Sequence, residues 1–91
     1  MKSVRGVKLI WDEWNREHIK KHKVSAIEVE QAFNNKVAVL QSYKGREVIL
    51  GVTKKKRLLT LVLSFEKQRD AYVVSARDMS AKERKIYHEQ T

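Results

Sequence analysis

A series of β-rich segments separated by very short connections constrains the fold of this chain more than any other feature. The segments occupy residues 37–43, 46–53 and 58–65. Lys44-Gly45 separates the first two, and a run of three lysines separates the second from the third. Connections of this length join antiparallel strands, so the pattern predicts consecutive hairpins, and residues 71–77 add a last strand.

Helical patterns precede and follow this β-rich region. Residues 7–11 predict a short first strand, residues 13–22 a first helix and residues 25–34 a second helix. Ser25 with Glu28, and Ser80 with Glu83, have the spacing of a capping box, so the second and the terminal helices begin there. The predicted fold class is α+β: an antiparallel four- to five-stranded sheet with two N-terminal helices and one C-terminal helix.

The third β-rich segment lacks the alternation of a strand with one solvated face. Residues 58–63 are apolar at every position except Thr60. Apolar residues on both faces are typical of a central strand that is covered on both sides. We therefore expect helices on one side of this strand and a different cover, such as a partner or a dimer mate, on the other.

The charge of the chain indicates a polyanionic partner. The chain has 91 residues and no cysteine, and 20 Lys and Arg against 11 Asp and Glu give a net charge of +9. This length predicts a single domain, 1–91, without a disulfide framework. A field of this strength on a small domain favours nucleic acid or an acidic protein as the partner. No segment has the pattern of a signal peptide or a membrane helix, so we expect a cytoplasmic protein without membrane attachment.

Arg77 is the strongest candidate for binding an anion. It ends the last predicted strand and precedes the start of the terminal helix, whose amide groups and dipole also attract anions. Strand alternation predicts that Arg77 shares a face with Val73 and Ser75. On the terminal helix, Glu83 has a structural role in the cap. Tyr87 either packs its ring on the sheet or directs its phenol at a phosphate or a base.

Two further arginines begin predicted strands. Arg46 and Arg57 could converge with Arg77 on one edge or one face of the sheet, and a solvated strand end is the alternative for each. Arg57 also ends a run of positive charges, which is either a solvated turn or a phosphate clamp. We predict that the whole run binds nucleic acid: Lys54, Lys55, Lys56 and Arg57.

The first predicted helix carries two histidines. Trp11, Asn15, His18 and His22 have helical spacing, which predicts that they share one face of a continuous helix. Histidines at i and i+4 can bind zinc, but a site needs a third ligand, so we expect no metal site here. Lysines surround His22 in the sequence, which favours the neutral imidazole and therefore a proton acceptor.

No residue pattern indicates a protein nucleophile. The chain has no cysteine, no Gly-x-Ser-x-Gly sequence and no phosphate-binding loop. An enzyme with these residues would activate its substrate's own nucleophile, and RNA has one in the 2′-hydroxyl. Histidine, arginine, lysine and tyrosine side chains could take its proton, stabilise the phosphorane and protonate the leaving 5′-oxygen without a metal or another cofactor.

Several short motifs, taken in order along the chain, are similar to those of a known family. They are Trp11-Asp12-Glu13, Lys21-His22-Lys23-Val24-Ser25, Arg46 with Gly51, Arg57 with Leu59, and Ser75-Ala76-Arg77 with Glu83-Arg84 and Tyr87. In this order and spacing they resemble the BrnT toxins of bacterial type II toxin–antitoxin systems. The resemblance implies a fold like the RelE-type ribonuclease toxins and cleavage of RNA, which arrests translation and growth.

The resemblance also implies partners and site residues. The expected partners are an RNA substrate and a cognate antitoxin, BrnA-like or another small DNA-binding protein that represses the operon, with a possible toxin homodimer in the complex. By matching positions, the candidate catalytic residues are Lys21, His22, Arg46, Arg77 and Tyr87. Family members commonly carry Lys where this chain has Asn15, Asn at His18, Gly at Lys23 and an aromatic residue at Ala26, so the chain resembles a divergent branch.

Three functions follow as hypotheses. In an endoribonuclease toxin, His22 accepts the proton and Lys21 holds a phosphate. Arg46 and Arg77 stabilise the phosphorane, and Tyr87 stacks or acts as the acid. The second hypothesis is a non-catalytic basic module that binds nucleic acid or an acidic protein partner. The third is a structural protein-interaction domain, for which removal of the charges at 54–57 would change neither RNA affinity nor growth.

Overall fold

Five strands and three helices make up the part of the chain that the structure, a computed structural model, describes, residues 6–41 and 45–91. In chain order they are β1 (Lys8–Ile10), α1 (Glu13–Lys20), α2 (Ala26–Asn34), β2 (Lys36–Gln41), β3 (Arg46–Val52), β4 (Leu58–Lys67), β5 (Asp70–Asp78) and α3 (Ala81–Gln90). Ser42, Tyr43 and Lys44, at the predicted end of the first hairpin strand and its turn, lie outside the described residues. None of the described helices is long and apolar enough to span a membrane.

The strands form one sheet with the order β1-β5-β4-β3-β2. Strands β2 to β5 pair antiparallel with their neighbours along the chain, which confirms the predicted meander. The first strand instead joins β5 in parallel, with Lys8 opposite Asp70. The α+β class is confirmed, and β4 is the central strand, as its apolar pattern predicts.

Helices α1 and α2 pack on one face of the sheet and form the main core with it. The apolar residues of this core are Leu9, Ile19, Val24, Val29, Ala32, Phe33, Ile49, Leu59, Leu61, Leu63, Ala71, Val73 and Ala76. Gly51 lets α2 approach β3 closely, because a Cβ atom built there would lie 2.1 Å from the carbonyl oxygen of Ala32. The backbones of α2 and β3 therefore lie directly against each other at this position.

The opposite face is covered at its centre by the terminal helix. Leu50 and Thr60 lie on this face and are fully buried. The hydroxyl of Thr60 donates a hydrogen bond of 2.8 Å to the carboxylate of Glu83 on α3. At Thr60, therefore, the second cover of the central strand comes from the chain itself.

A β-bulge in β5 changes which of its residues share a face. The pairs on either side of the bulge are Leu63 with Val73 and Val62 with Ser75. Val74 is therefore an extra residue in β5, and it reverses the alternation beyond it. Val73 and Ala76 both lie in the helix-covered core. The prediction that Arg77 shares a face with Val73 is wrong, whereas Ser75 does share the face of Arg77.

The continuous first helix on which the predicted shared face depended is not present, because α1 spans only Glu13–Lys20 and excludes both Trp11 and His22. Trp11 precedes α1, and Asn15 is completely buried. The amide of Asn15 donates to the carbonyl oxygens of Ile10 and Val73, at 2.9 and 3.0 Å, and its oxygen accepts from the backbone of the helix cap. His18 is partly buried, and His22 is exposed. Asn15 consequently joins α1 to β1 and β5.

Candidate functional site

Lys21 and His22 lie on an exposed turn at the end of α1. The backbone N–H of Lys23 donates to the carbonyl of Lys20 at 2.9 Å, and that of Val24 donates to the carbonyl of Ile19 at 3.2 Å. These two bonds are a Schellman motif, which requires a left-handed residue after the helix. Lys23 has this conformation, with a φ of 58°. The turn therefore has a defined backbone, although a lysine occupies the position that favours glycine.

Arg57 holds this turn in place from the start of β4. Its Nε and Nη2 atoms donate to the two carboxylate oxygens of Asp78 at 2.8 and 3.2 Å. Its Nη1 donates to Glu28 at 3.1 Å and to the carbonyl oxygen of Lys23 at 2.8 Å, and Nη2 donates to the carbonyl oxygen of His22 at 3.3 Å. A guanidinium has five N–H groups, and each one here has an acceptor. Arg57 thus links the His22 turn, the start of α2 and the end of β5.

Cationic groups gather around Asp78 at the end of β5. Arg57 lowers the pKa of the Asp78 carboxyl, chiefly through its hydrogen bonds, and the charges of Arg84 and His22 lower it further. The same hydrogen bonds raise the pKa of Arg57. Asp78 therefore stays ionised at neutral pH, and three basic side chains surround it.

Arg77 lies beside this cluster but on the α3 face of the sheet. Its Nη1 and Nη2 atoms donate to the two oxygens of Glu83 at 2.8 and 2.9 Å, and Nη1 also donates to the carbonyl oxygen of Asp78 at 3.1 Å. Glu83 accepts further bonds from Thr60 and from the backbone of Ser80, both at 2.8 Å. Arg77 chiefly, with these donors, lowers the pKa of the Glu83 carboxyl to about 2. The side chain of Arg77 is 40% exposed, so it remains partly accessible to solvent.

Tyr87 and part of the lysine turn line one open cleft of about 590 Å³. The cleft lies where the β3–β4 turn meets the α2–β2 junction and the end of α3. Its basic and aromatic residues are Lys36, Lys54, Lys56 and Tyr87. Lys55 lines a neighbouring depression with Ile27 and Gln31 of α2. The structure thus brings Tyr87 close to two of the three turn lysines.

Arg46 lies away from the other candidate residues. It is opposite Ser64 on β4, whereas Arg77 is opposite Thr60 on the same strand. The two arginines share a face of the sheet, but four residues of strand separate their rows, which is roughly 13 Å along the strands. Arg57 and Arg77 both contact Asp78, one through its carboxylate and the other through its carbonyl oxygen, whereas Arg46 lies apart from them.

Three residues near the site were not among the predicted site residues. Asp78 and Arg84 flank the Arg57 cluster, and Trp14 is an exposed aromatic residue on α1. The sequence contained a signal for Asp78, because this carboxylate lies between a strand-ending arginine and a helix cap. Trp14 lies four residues before His18, which is also a signal, since such residues are neighbours on a helix.

Comparison with known proteins identifies the family of this chain. The profile of the family described as "Ribonuclease toxin, BrnT, of type II toxin-antitoxin system" matches residues 11–83. This chain belongs to the BrnT ribonuclease toxin family. The match spans α1, α2, the meander and the start of α3, and so includes every predicted site residue except Tyr87. Membership of a type II toxin family implies a cognate antitoxin as partner.

A solved BrnT structure supports the same fold. The ribonuclease toxin BrnT of Brucella abortus superposes with a TM-score of 0.67 and is 24% identical, over 81% of this chain and 97% of that protein. At this identity the likeness concerns the fold alone. No curated protein sequence gives a match. The predicted resemblance to BrnT toxins is confirmed, and so is the α+β class with three helices and a mostly antiparallel sheet.

Proposed function

We propose that this BrnT family member is an endoribonuclease toxin that cleaves RNA in the cytoplasm and arrests translation and growth. The observation that supports this function best is the cluster of basic groups at the end of β5. His22, Arg57, Arg77 and Arg84 lie around one strand end there, on a chain with a net charge of +9. A cluster of this kind attracts the phosphodiester chain of a nucleic acid.

The proposed reaction uses the nucleophile of the RNA itself. The 2′-oxygen forms a bond to phosphorus while the bond from phosphorus to the 5′-oxygen breaks, which leaves a cyclic phosphate and a free 5′-hydroxyl. His22 accepts the proton of the 2′-hydroxyl, and its exposed position gives the substrate access. Tyr87 donates a proton to the leaving 5′-oxygen or, if it stacks on a base instead, water supplies that proton.

The basic residues stabilise the extra charge of the phosphorane. Arg77 is the nearest candidate, because its guanidinium is partly exposed at the end of β5. Lys21 holds a phosphate from the turn that also carries His22. Arg46 lies far from Arg77 along the sheet. We therefore propose that Arg46 contacts a different phosphate of the same RNA strand. Lys54, Lys55 and Lys56 extend the path of the RNA backbone.

Arg57 has a different role within this proposal. Because its five N–H groups all have acceptors in the protein, a phosphate would have to displace a carboxylate or a carbonyl to bind it. We therefore assign it to positioning the turn of His22. The prediction that it binds nucleic acid stays a prediction.

Cleavage of RNA by the purified protein tests the proposal. We expect cleavage in the presence of a chelator, products with a 2′,3′-cyclic phosphate, and growth arrest when the gene is induced. His22→Ala and Arg77→Ala should each lower the cleavage rate at least about a hundredfold. Arg69→Ala is the matched control for lost charge, since Arg69 is exposed in the β4–β5 turn at the other end of the sheet. Undiminished cleavage by both site variants would contradict the assignment.

One observation favours a non-catalytic alternative. Both arginines at the end of β5 are already paired with carboxylates, Arg57 with Asp78 and Arg77 with Glu83. A basic module that binds RNA or an acidic protein through its lysines would need no free arginine. This alternative predicts salt-sensitive binding to RNA of many sequences and no cleavage product under any condition.

A further inference from the structure

Three aromatic rings follow one another on the surface of α1 and of the turn after it. The indole of Trp14 and the imidazole of His18 lie parallel, with ring centroids 4.7 Å apart and an interplanar angle of 9°. The ring of His22 follows at 6.5 Å from that of His18, with an edge-to-face orientation. The three residues are four apart in sequence, so their rings follow one line towards the His22 turn.

The core does not require this stack. Trp14 is 56% exposed, whereas the buried residues of α1 are Asn15 and Ile19. The stack lines an open depression of about 730 Å³ together with Glu13, Glu17, Lys20 and Lys21. An exposed aromatic ring whose orientation is fixed by stacking on a neighbour can stack on a further planar group.

We propose that the Trp14–His18 stack binds an unpaired nucleobase of the RNA strand whose phosphate is held at the His22 turn. This inference rests on the proposed function, because it gives one nucleotide of that substrate a binding site. Unpaired bases are commonly bound by stacking on aromatic side chains, and every base has a face that can stack. The next ring along the stack is that of the proposed proton acceptor, so the base and the cleaved phosphate belong to the same or neighbouring nucleotides.

The charges around the depression favour a base over a phosphate on the rings. Glu13 and Glu17 line it, and a phosphate would be repelled by both carboxylates. Lys20 pairs with Glu17 at 3.0 Å, whereas Lys21 lies on the turn that carries His22. The sugar–phosphate chain therefore follows the Lys21 side, and the uncharged base faces the rings. Carboxylates can also accept hydrogen bonds from the amino groups of bases.

The test measures binding of an RNA that the protein does not cleave. A single-stranded 2′-O-methyl oligoribonucleotide lacks the nucleophile, and an oligomer of the same length with abasic residues lacks the rings. Trp14→Ala should weaken binding of the first oligomer about tenfold or more, and Trp14→Phe should retain most of the affinity. Neither change should affect binding of the abasic oligomer. Val39→Ala is the matched control, because Val39 is 52% exposed on β2, away from the stack.

Several outcomes would overturn the proposal. The first is that Trp14→Ala binds the base-bearing oligomer as tightly as the wild type does. An equal loss with the abasic oligomer is another, since it would indicate a contact with the backbone. Weaker capture of the cognate antitoxin with unchanged affinity for the oligomer would assign the stack to a protein partner. Thermal unfolding of each variant checks that the exposed substitutions leave the fold intact.

The proposed cleavage chemistry is tested separately with unmodified RNA. If the wild type cleaves RNA but Trp14→Ala binds the 2′-O-methyl oligomer normally, only the base-binding site is wrong. If base-dependent binding requires Trp14 but no RNA is cleaved, the base-binding site stands and the proposed catalysis is wrong.

Discussion

Arg57 and Asp78 are joined by two hydrogen bonds, of 2.8 and 3.2 Å, from the start of β4 to the end of β5. This bidentate pair is part of a larger network, because the same guanidinium also contacts Glu28 and two carbonyl oxygens of the turn after α1. One side chain thereby joins the turn of His22 to the ends of β4 and β5. The residue predicted as a phosphate clamp thus has a full set of partners within the protein.

Replacement of Arg57 should affect stability and the His22 turn together. Arg57→Lys keeps the charge but loses the planar fork, so we expect a loss of about 1–2 kcal/mol in the free energy of unfolding. Arg57→Ala should cost more, because Asp78 and Glu28 lose their cation. Urea unfolding measures the loss, and the NMR signals of the His22 imidazole report movement of the turn. If Arg57→Lys leaves both unchanged, the positioning role is wrong.

Glu83 should make stability depend on pH in the acidic range. Its pKa is lowered from an ordinary value of 4.5 to about 2, chiefly by Arg77. The stabilisation is complete above pH 4.5 and is lost as the pH falls towards 2, since the unfolded chain binds the proton first. Its size is on the order of 2–3 kcal/mol. Glu83→Gln should lower the free energy of unfolding by about this amount at pH 7, and the difference should vanish near pH 2. A difference that is independent of pH would contradict the ion pair as its cause.

Gly51 should not tolerate a side chain. In Gly51→Ala the new Cβ atom would meet the carbonyl oxygen of Ala32, a backbone atom that cannot rotate away. We expect a loss of about 3 kcal/mol or more in the free energy of unfolding. Gly45→Ala is the comparison, because among the described residues no atom beyond its chain neighbours lies within 4 Å of its Cβ position, and its positive φ of 72° is the unfavourable feature. That variant should lose only about 1–2 kcal/mol. If both variants lose the same free energy of unfolding, α2 can move away from β3 at little cost.

Asn15 should be essential for the position of α1. Asn15→Ala removes two hydrogen bonds to backbone carbonyl oxygens, one of them buried, and half of the capping box, so we expect a loss of about 2–4 kcal/mol in the free energy of unfolding. Asn34→Ala is a matched control, since Asn34 is exposed at the end of α2. Thermal or urea unfolding distinguishes the two variants, and similar stabilities would show that other contacts hold α1.

The lysine turn should contribute to RNA affinity through counterion release. The logarithm of the RNA association constant falls linearly with the logarithm of the salt concentration. Each of Lys54→Ala, Lys55→Ala and Lys56→Ala should make this negative slope shallower by about 0.7 if that lysine contacts a phosphate of single-stranded RNA. Lys67→Ala, at the other end of β4, should leave the slope unchanged. If the three turn variants also leave the salt dependence unchanged, the lysine turn does not contact the RNA, and the RNA binds along another part of the surface.

Local patterns were sufficient to predict most of the fold. The meander follows from β-rich segments with short connections, and the capping boxes at Ser25 and Ser80 are present as predicted. The parallel pairing of β1 with β5 was not predicted, because residues 8–10 carry no information about their distant partner. The bulge at Val74 also escaped prediction, since nothing in an alternating strand marks where an extra residue enters.

The candidate site was predictable in composition but not in arrangement. The spacing of motifs identified the BrnT family, and the basic residue types identified a polyanion as the expected partner. Whether a given arginine faces solvent or a carboxylate depends on residues far away in the chain. Arg57 meets Glu28 and Asp78 only because α2 and β5 both reach the start of β4.

The sequence by itself therefore determined the elements, the family and the charge of this protein, since these depend on residue type and on contacts between near neighbours. Only the tertiary structure decided that Asn15 lies in the core, that Arg77 lies on the opposite face from Val73, and that Trp14 and His18 form an exposed stack leading to His22. Such relationships depend on how helices rotate and strands bulge when the core packs, and packing involves contacts between residues that are remote in sequence.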